Sequence, residues 1–89
     1  MPLFFFDIYN DLVTEDEDGM EFADRDVAMH RARAEAQNLA AESIRERGHL
    51  ILDHRIVLRD ESGDKVGEVR FEDVVEIKPT EGSQERRPL

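Results

Sequence analysis

The spacing of small and apolar residues between Ala23 and Gly48 predicts one long amphipathic helix. These positions recur every three or four residues, which places them on one side of a helical wheel. They are Ala28, Met29, Ala32, Ala36, Leu39, Ala40, Ser43 and Ile44. Asp24 is expected to cap the N-terminus, and Gly48 is expected to end the helix in the left-handed conformation. Half of the stripe is alanine, so the helix can approach a sheet closely but buries little area per residue.

A weaker line of small residues runs along the opposite side of the same helix. Val27, Ala34 and Ala41 follow one another at seven-residue spacing on this side. Two interpretations stay open. The line is either a solvated face with small residues or the seam of a homodimer, in which these three residues make the contact.

Alternation of apolar and polar residues predicts strands on both sides of the helix. Leu3 to Tyr9 alternates, with Phe4, Phe6 and Ile8 on one face. Its first four residues are apolar on both faces, so both faces are expected to be covered there, which favours either a central position or a second layer over the strand. Met20 to Phe22 is expected to return beside it as a short strand, after a long polar loop from Asn10 to Gly19. Beyond the helix, 54–59 and 65–71 are expected to pair through a turn at 60–64.

These elements predict an α+β fold. A small antiparallel sheet with the order β-β-α-β-β, its second strand short, packs on one long amphipathic helix. Residues 1–78 are expected to form one domain. Residues 79–89 contain little to pack and are expected to be a disordered tail.

The charge is concentrated at one end of the chain. Residues 1–24 carry eight carboxylates and no lysine or arginine, so they hold most of the net charge of −10. This argues against nucleic-acid binding, which depends on clustered basic residues, and leaves a basic protein partner or a divalent cation. The chain has no cysteine, which excludes disulfides and thiol catalysis and fits a cytoplasmic location. No stretch approaches a membrane span, and no cofactor is expected.

The acidic run from Thr14 to Gly19 suggests a calcium loop. With Gly19 at the sixth position of an EF-hand, the twelfth position falls on Arg25, where a bidentate glutamate is required. The run is therefore not an EF-hand. A weak cation site through Glu15, Asp16, Glu17 and Asp18 stays open, beside a solvated hairpin tip and a docking surface for a basic partner.

The remaining candidate residues favour structural roles. His30, His49 and His54 have no zinc-site spacing, and the chain contains no nucleophile elbow or phosphate-binding glycine loop, so no enzyme is expected. The aromatics of the first strand, Phe4, Phe5, Phe6 and Tyr9, are typical of a base-stacking platform, but the only charge on that strand is Asp7. Core packing is the better interpretation of these rings.

Three stretches carry a resemblance to known proteins: Met1 to Ile8, Glu17 to Phe22 followed by Asp24 and the Ala/Arg/Glu helix, and Ile56 to Gly63. Over roughly residues 2–77 the chain resembles a family of small, uncharacterised alphaproteobacterial proteins, a domain of unknown function. The resemblance implies a bacterial cytoplasmic protein and brings no catalytic residues. A fainter likeness, of topology only, is to the partial ribonuclease-H-like fold of small antitoxins.

Together these observations favour a small, non-enzymatic protein-interaction module that meets a protein partner or a second copy of itself. The alternatives are an antitoxin-like regulator that binds a basic partner, and a weak divalent-cation-binding protein that uses the acidic loop.

Overall fold

Helix α1 spans Arg25–Arg47 and lies on one face of the sheet. In the computed structural model, which describes residues 1–80 and 86–88, Asp24 Oδ1 accepts a hydrogen bond from the Val27 amide at 2.9 Å. At the other end Gly48 has φ 68°, and its N–H donates to the Ile44 carbonyl at 3.0 Å. Both predicted ends of the helix are confirmed.

Five antiparallel strands form one sheet. They are β1 (Leu3–Tyr9), β2 (Val13–Thr14), β3 (Met20–Glu21), β4 (Arg55–Arg59) and β5 (Lys65–Arg70). The order is β2-β1-β4-β5, and β3 pairs with the start of β1 beside β2. The first strand is therefore central, which is one of the two alternatives that its apolar start left open. A short helix, α2 (Phe71–Val74), follows β5.

Two elements differ from the sequence prediction. Residues 10–19 are not one unbroken loop, because Val13–Thr14 pairs with the end of β1 as strand β2. Phe71 does not extend the last strand but begins α2, where the Asp73 carboxylate accepts from the Arg70 amide at 2.8 Å. The α+β class is confirmed. Most of the predicted tail, 81–85 and 89, lies outside the described residues.

The core lies between α1 and the face of the sheet that carries Phe4, Phe6 and Ile8. Four alanines at four-residue spacing make the closest approach and are almost completely buried: Ala28, Ala32, Ala36 and Ala40. Ile56, Leu58, Val69 and Phe71 pack against them. Ile44 was expected on the buried stripe, but it is 52% exposed. A 23-residue helix is about 35 Å long and a seven-residue strand about 23 Å, so α1 is longer than the strands on which it packs.

Among the residues that the structure describes, no helix covers the other face of the sheet. It carries the alternate residues of three strands: Phe5, Asp7 and Tyr9 from β1, Arg55, Val57 and Arg59 from β4, and Glu68 and Arg70 from β5. This face is called the open face below. Within the described ranges, 1–80 and 86–88, no helix is long and apolar enough to cross a membrane.

Candidate functional site

A buried ion pair anchors the acidic end of the chain to the sheet. Asp7 is 4% exposed, and its two carboxylate oxygens accept from Arg59, Oδ2 from Nε at 2.5 Å and Oδ1 from Nη2 at 3.0 Å. The hydrogen bonds from Arg59 lower the pKa of Asp7 below the usual aspartate range, although burial works in the opposite direction. Asp7 in turn raises the pKa of Arg59. This fork of two parallel hydrogen bonds is the strongest geometry for such a pair.

Asp16 fixes the acidic loop, here defined as residues 15–19, against β1. Its Oδ2 accepts from the Phe6 amide at 3.0 Å, and its Oδ1 accepts from the amides of Asp18 and Gly19 at 3.1 and 3.0 Å. The Asp16 amide donates to Asp7 Oδ1 at 3.0 Å. Burial acts to raise the pKa of Asp16, but these amide hydrogen bonds outweigh it and lower the pKa. Asp16 thus ties the loop to both the edge of β1 and the buried ion pair.

The other three carboxylates of the acidic loop point into solvent. Glu15, Glu17 and Asp18 are exposed and form no ion pair with any residue that the structure describes. Over that same part of the chain, no three Asp, Glu or His side chains converge as metal ligands. Of the four residues in the hypothetical cation site, Asp16 already uses both oxygens on backbone amides. The cation site stays a prediction.

A cleft of about 510 Å³ separates the acidic loop from α1. Its floor is apolar and consists of Phe6, Ile8 and Ile56, which belong to the helix side of the sheet. Its walls are Thr14, Met20 and the four carboxylates of residues 15–18 on one side, and Arg31 and Glu35 of α1 on the other. Among the described lining residues Arg31 is the only cation, and its Nε donates to Glu35 Oε1 at 3.2 Å.

The open face carries arginines over its aromatic rings. The guanidinium carbon of Arg59 lies 5.2 Å from the ring centroid of Phe5, and that of Arg55 lies 5.1 Å from the ring centroid of Tyr9. The expectation that all four aromatics pack in the core is therefore wrong for Phe5 and Tyr9. The strand itself carries only Asp7, but the arginines come from β4, about 50 residues later in the chain. Sequence reasoning missed this arrangement because it considered one strand at a time.

The arginines of the open face form ion pairs with carboxylates. Glu68 lies 3.5 Å from Arg55 and 3.2 Å from Arg70, and it also contacts Lys65 at 3.0 Å. The hydrogen bond from Lys65 is the largest cause that lowers the pKa of Glu68. Asp53 lies 3.4 Å from Arg55 and 3.6 Å from Arg70, so each of these cations lies beside at least one carboxylate.

The other residues singled out by sequence lie apart from the cleft. Val27, Ala34 and Ala41 are exposed on the outer side of α1, and Val27 is 46% exposed. Their role in a dimer seam stays a prediction. His30 and His49 are also exposed. The His54 ring packs edge-on against Phe71 with centroids 5.6 Å apart, and its buried Nδ1 has no hydrogen-bond partner among the described residues.

The fold and the cleft together define a small α+β protein with one long helix on one face of an antiparallel sheet and an acidic cleft between that helix and the acidic loop. The chain matches the family described as "Domain of unknown function (DUF6894)" over residues 3–72 and belongs to that family. The matched range includes the buried ion pair, the acidic loop and all the described residues that line the cleft. No curated protein and no solved structure shows a match to the chain.

Proposed function

We propose that this protein is a non-catalytic interaction module that binds a basic, apolar-anchored segment of a partner protein in the cleft between the acidic loop and α1. The observation that carries the proposal is the combination of an apolar floor and an acidic rim. Phe6, Ile8 and Ile56 lie beneath three carboxylates, Glu15, Glu17 and Asp18, that form no ion pair within the described part of the chain.

The two parts of the cleft support different aspects of binding. Its volume of about 510 Å³ lies within the range of about 300–1,000 Å³ that is common for binding pockets. An apolar side chain buried on the floor contributes about 1.5–3 kcal/mol. The acidic rim favours a cationic partner and speeds the encounter. A protein segment is proposed in preference to nucleic acid, because phosphates and the rim carry the same sign of charge.

The acidic loop is held in place before any partner arrives. Asp16 is hydrogen-bonded to three amides, and its own amide is bound to Asp7. A wall that is already ordered loses little conformational freedom when a ligand binds. The lack of cysteine fits the reducing cytoplasm, which we propose as the location of the protein.

The test uses a fluorescein-labelled peptide with two adjacent leucines flanked on each side by two arginines. Fluorescence anisotropy is measured against the full-length protein, with a control peptide in which glutamines replace the arginines. The arginine peptide is expected to bind at least tenfold more tightly. Equal binding of the two peptides, or no saturable binding of either, overturns the proposal.

Matched variants locate the binding surface. The double variant Glu15→Gln, Glu17→Gln removes two rim charges and is expected to weaken binding by about three- to tenfold, since each lost charge contact contributes up to about 1 kcal/mol at an exposed site. The control Glu72→Gln, Glu76→Gln changes net charge equally at two exposed positions that do not line the cleft. If both double variants weaken binding equally, the effect comes from net charge and not from the cleft.

A further inference from the structure

Arg31 is the only cation among the described residues that line the cleft. The other charged lining residues are carboxylates, which attract positive charge. The Arg31 side chain is 48% exposed, and its one hydrogen bond within the described chain joins Nε to Glu35 Oε1 at 3.2 Å. A guanidinium therefore already occupies one carboxylate of the site that is proposed to bind basic segments.

The Arg31–Glu35 contact is weak. Exposed ion pairs four residues apart on a helix contribute little to stability, because water screens the charges. The order also matters, because the acidic residue preceding the basic one is the better arrangement with respect to the helix dipole, and here the arginine comes first. The contact is monodentate, since Arg31 uses Nε alone and leaves Glu35 Oε2 without a bond from it. A guanidinium that binds both oxygens makes the stronger interaction.

We propose that Arg31 is a stand-in for the ligand: an arginine of the partner segment displaces it from Glu35, and Glu35 then receives the guanidinium of the ligand through both carboxylate oxygens. Arg31 moves into solvent, which it already reaches with half of its surface. The inference rests on the proposed function and deepens it. It assigns arginine-containing segments as the ligand class and makes the Arg31–Glu35 pair the determinant of that selectivity, because an ammonium group cannot form the paired contact.

The first measurement compares wild type with Arg31→Gln in the anisotropy assay with the arginine peptide. The variant is expected to bind about two- to fivefold more tightly, because the peptide no longer competes with Arg31. Arg45→Gln is the matched control: Arg45 is an exposed arginine of the same helix that does not line the cleft. It is expected to change affinity by less than twofold. Thermal unfolding of each variant verifies that it is folded.

A double-mutant cycle separates displacement from general electrostatics. If Arg31 acts by occupying Glu35, the gain from Arg31→Gln disappears when Glu35→Gln is also present. If Arg31 merely adds unfavourable positive charge, the gain persists in the Glu35→Gln background, and the inference is wrong. A peptide with lysines in place of arginines is expected to bind about threefold more weakly to wild type. Equal affinity for the two peptides overturns the assignment of arginine as ligand.

The outcomes for the two proposals are distinguishable. No saturable binding of the arginine peptide to wild type or to Arg31→Gln overturns the proposed function. Binding to wild type that Arg31→Gln leaves unchanged or weakens overturns only the role of Arg31. In a direct readout, the Arg31 Nε–Hε resonance in a ¹⁵N-labelled protein is expected to shift towards that of a solvent-exposed arginine as peptide is added.

Discussion

Replacing Asp7 with asparagine tests whether the buried ion pair holds the acidic end of the chain on the sheet. Asparagine keeps the shape of the side chain but loses the charge, and it places an oxygen opposite one of the two Arg59 donors and an amino group, which cannot accept, opposite the other. Breaking a fully buried pair costs about 3–5 kcal/mol. The Arg59 side chain is 28% exposed, so water can hydrate the unpaired guanidinium and offset part of this cost. We therefore expect the free energy of unfolding to fall by about 2–3 kcal/mol.

Urea denaturation followed by circular dichroism measures this cost. For a domain of this size, a change of that magnitude lowers Tm by about 10–20 °C. Asp18→Asn is the matched control, because it is the same substitution within the acidic loop at an exposed residue with no ion pair among the described residues. It is expected to change the free energy of unfolding by less than about 0.5 kcal/mol. If the two variants are equally stable, Asp7 does not contribute in the way that its burial and hydrogen bonds imply.

The pH dependence of stability provides an independent measure of the same pair. The pKa values of Asp7 and Asp16 are lowered in the folded protein. Their contribution to stability is therefore complete above the unfolded aspartate value of about 3.9, and it is lost as the pH falls through the lower folded values. We expect wild type to lose stability steeply below about pH 4 and Asp7→Asn to lose it less steeply. Parallel pH profiles between pH 2 and pH 7 would contradict the assignment.

Three further predictions concern glycine, the alanine stripe and the outer face of α1. In thermal unfolding, Gly19→Ala is expected to destabilise the protein by about 2–3 kcal/mol and Gly48→Ala by about 1 kcal/mol. Both glycines have positive φ, but only at Gly19 would an added Cβ meet other atoms, including Cε1 of Phe5 at 2.8 Å. Ala36→Leu is expected to lower the free energy of unfolding by about 1–3 kcal/mol because Ala36 is fully buried. Ala34→Leu, on the exposed side of α1, is expected to be nearly neutral. Equal losses of stability would show that the assigned buried face of α1 is wrong. In sedimentation velocity, Ala34→Glu with Ala41→Glu is expected to dissociate a seam dimer, and an unchanged mass relative to wild type removes that hypothesis.

The parts of the fold that could be predicted from sequence depend on local chemistry. The ends of α1 follow from Asp24 and Gly48, whose side chain and backbone act within one helical turn. The faces of β1 follow from simple alternation. Strand β2 could not be predicted in the same way, because two residues form no period, and Val13–Thr14 is a strand only because β1 lies beside it.

The candidate site was less accessible to sequence reasoning, since its residues meet only after folding. The acidic loop was recognised, but nothing local distinguishes Asp16, which is bound to three amides, from the neighbouring solvent-exposed carboxylates. The contact between Asp7 and Arg59 joins residues that are 52 positions apart. Phe6 and Ile8 were recognised as apolar positions on a buried face. The position at which α1 crosses the sheet decides which part of this face becomes the floor of a cleft.

The central position of β1 has a consequence for how the chain is made. The strand is synthesised before its long partner, β4, which follows about 50 residues later, with Asp7 opposite Val57. At a translation rate of about 5–20 residues per second, this separation corresponds to a delay of roughly 3–10 s. During this interval one edge of β1 has no hydrogen-bonding strand beside it, and the apolar run from Leu3 to Phe6 is of the kind that is prone to aggregate. The next residues to be made, strands β2 and β3 and the carboxylates between them, cover the opposite edge with negative charge. We therefore expect the carboxylates of the acidic loop to disfavour self-association of the nascent chain before the cleft forms.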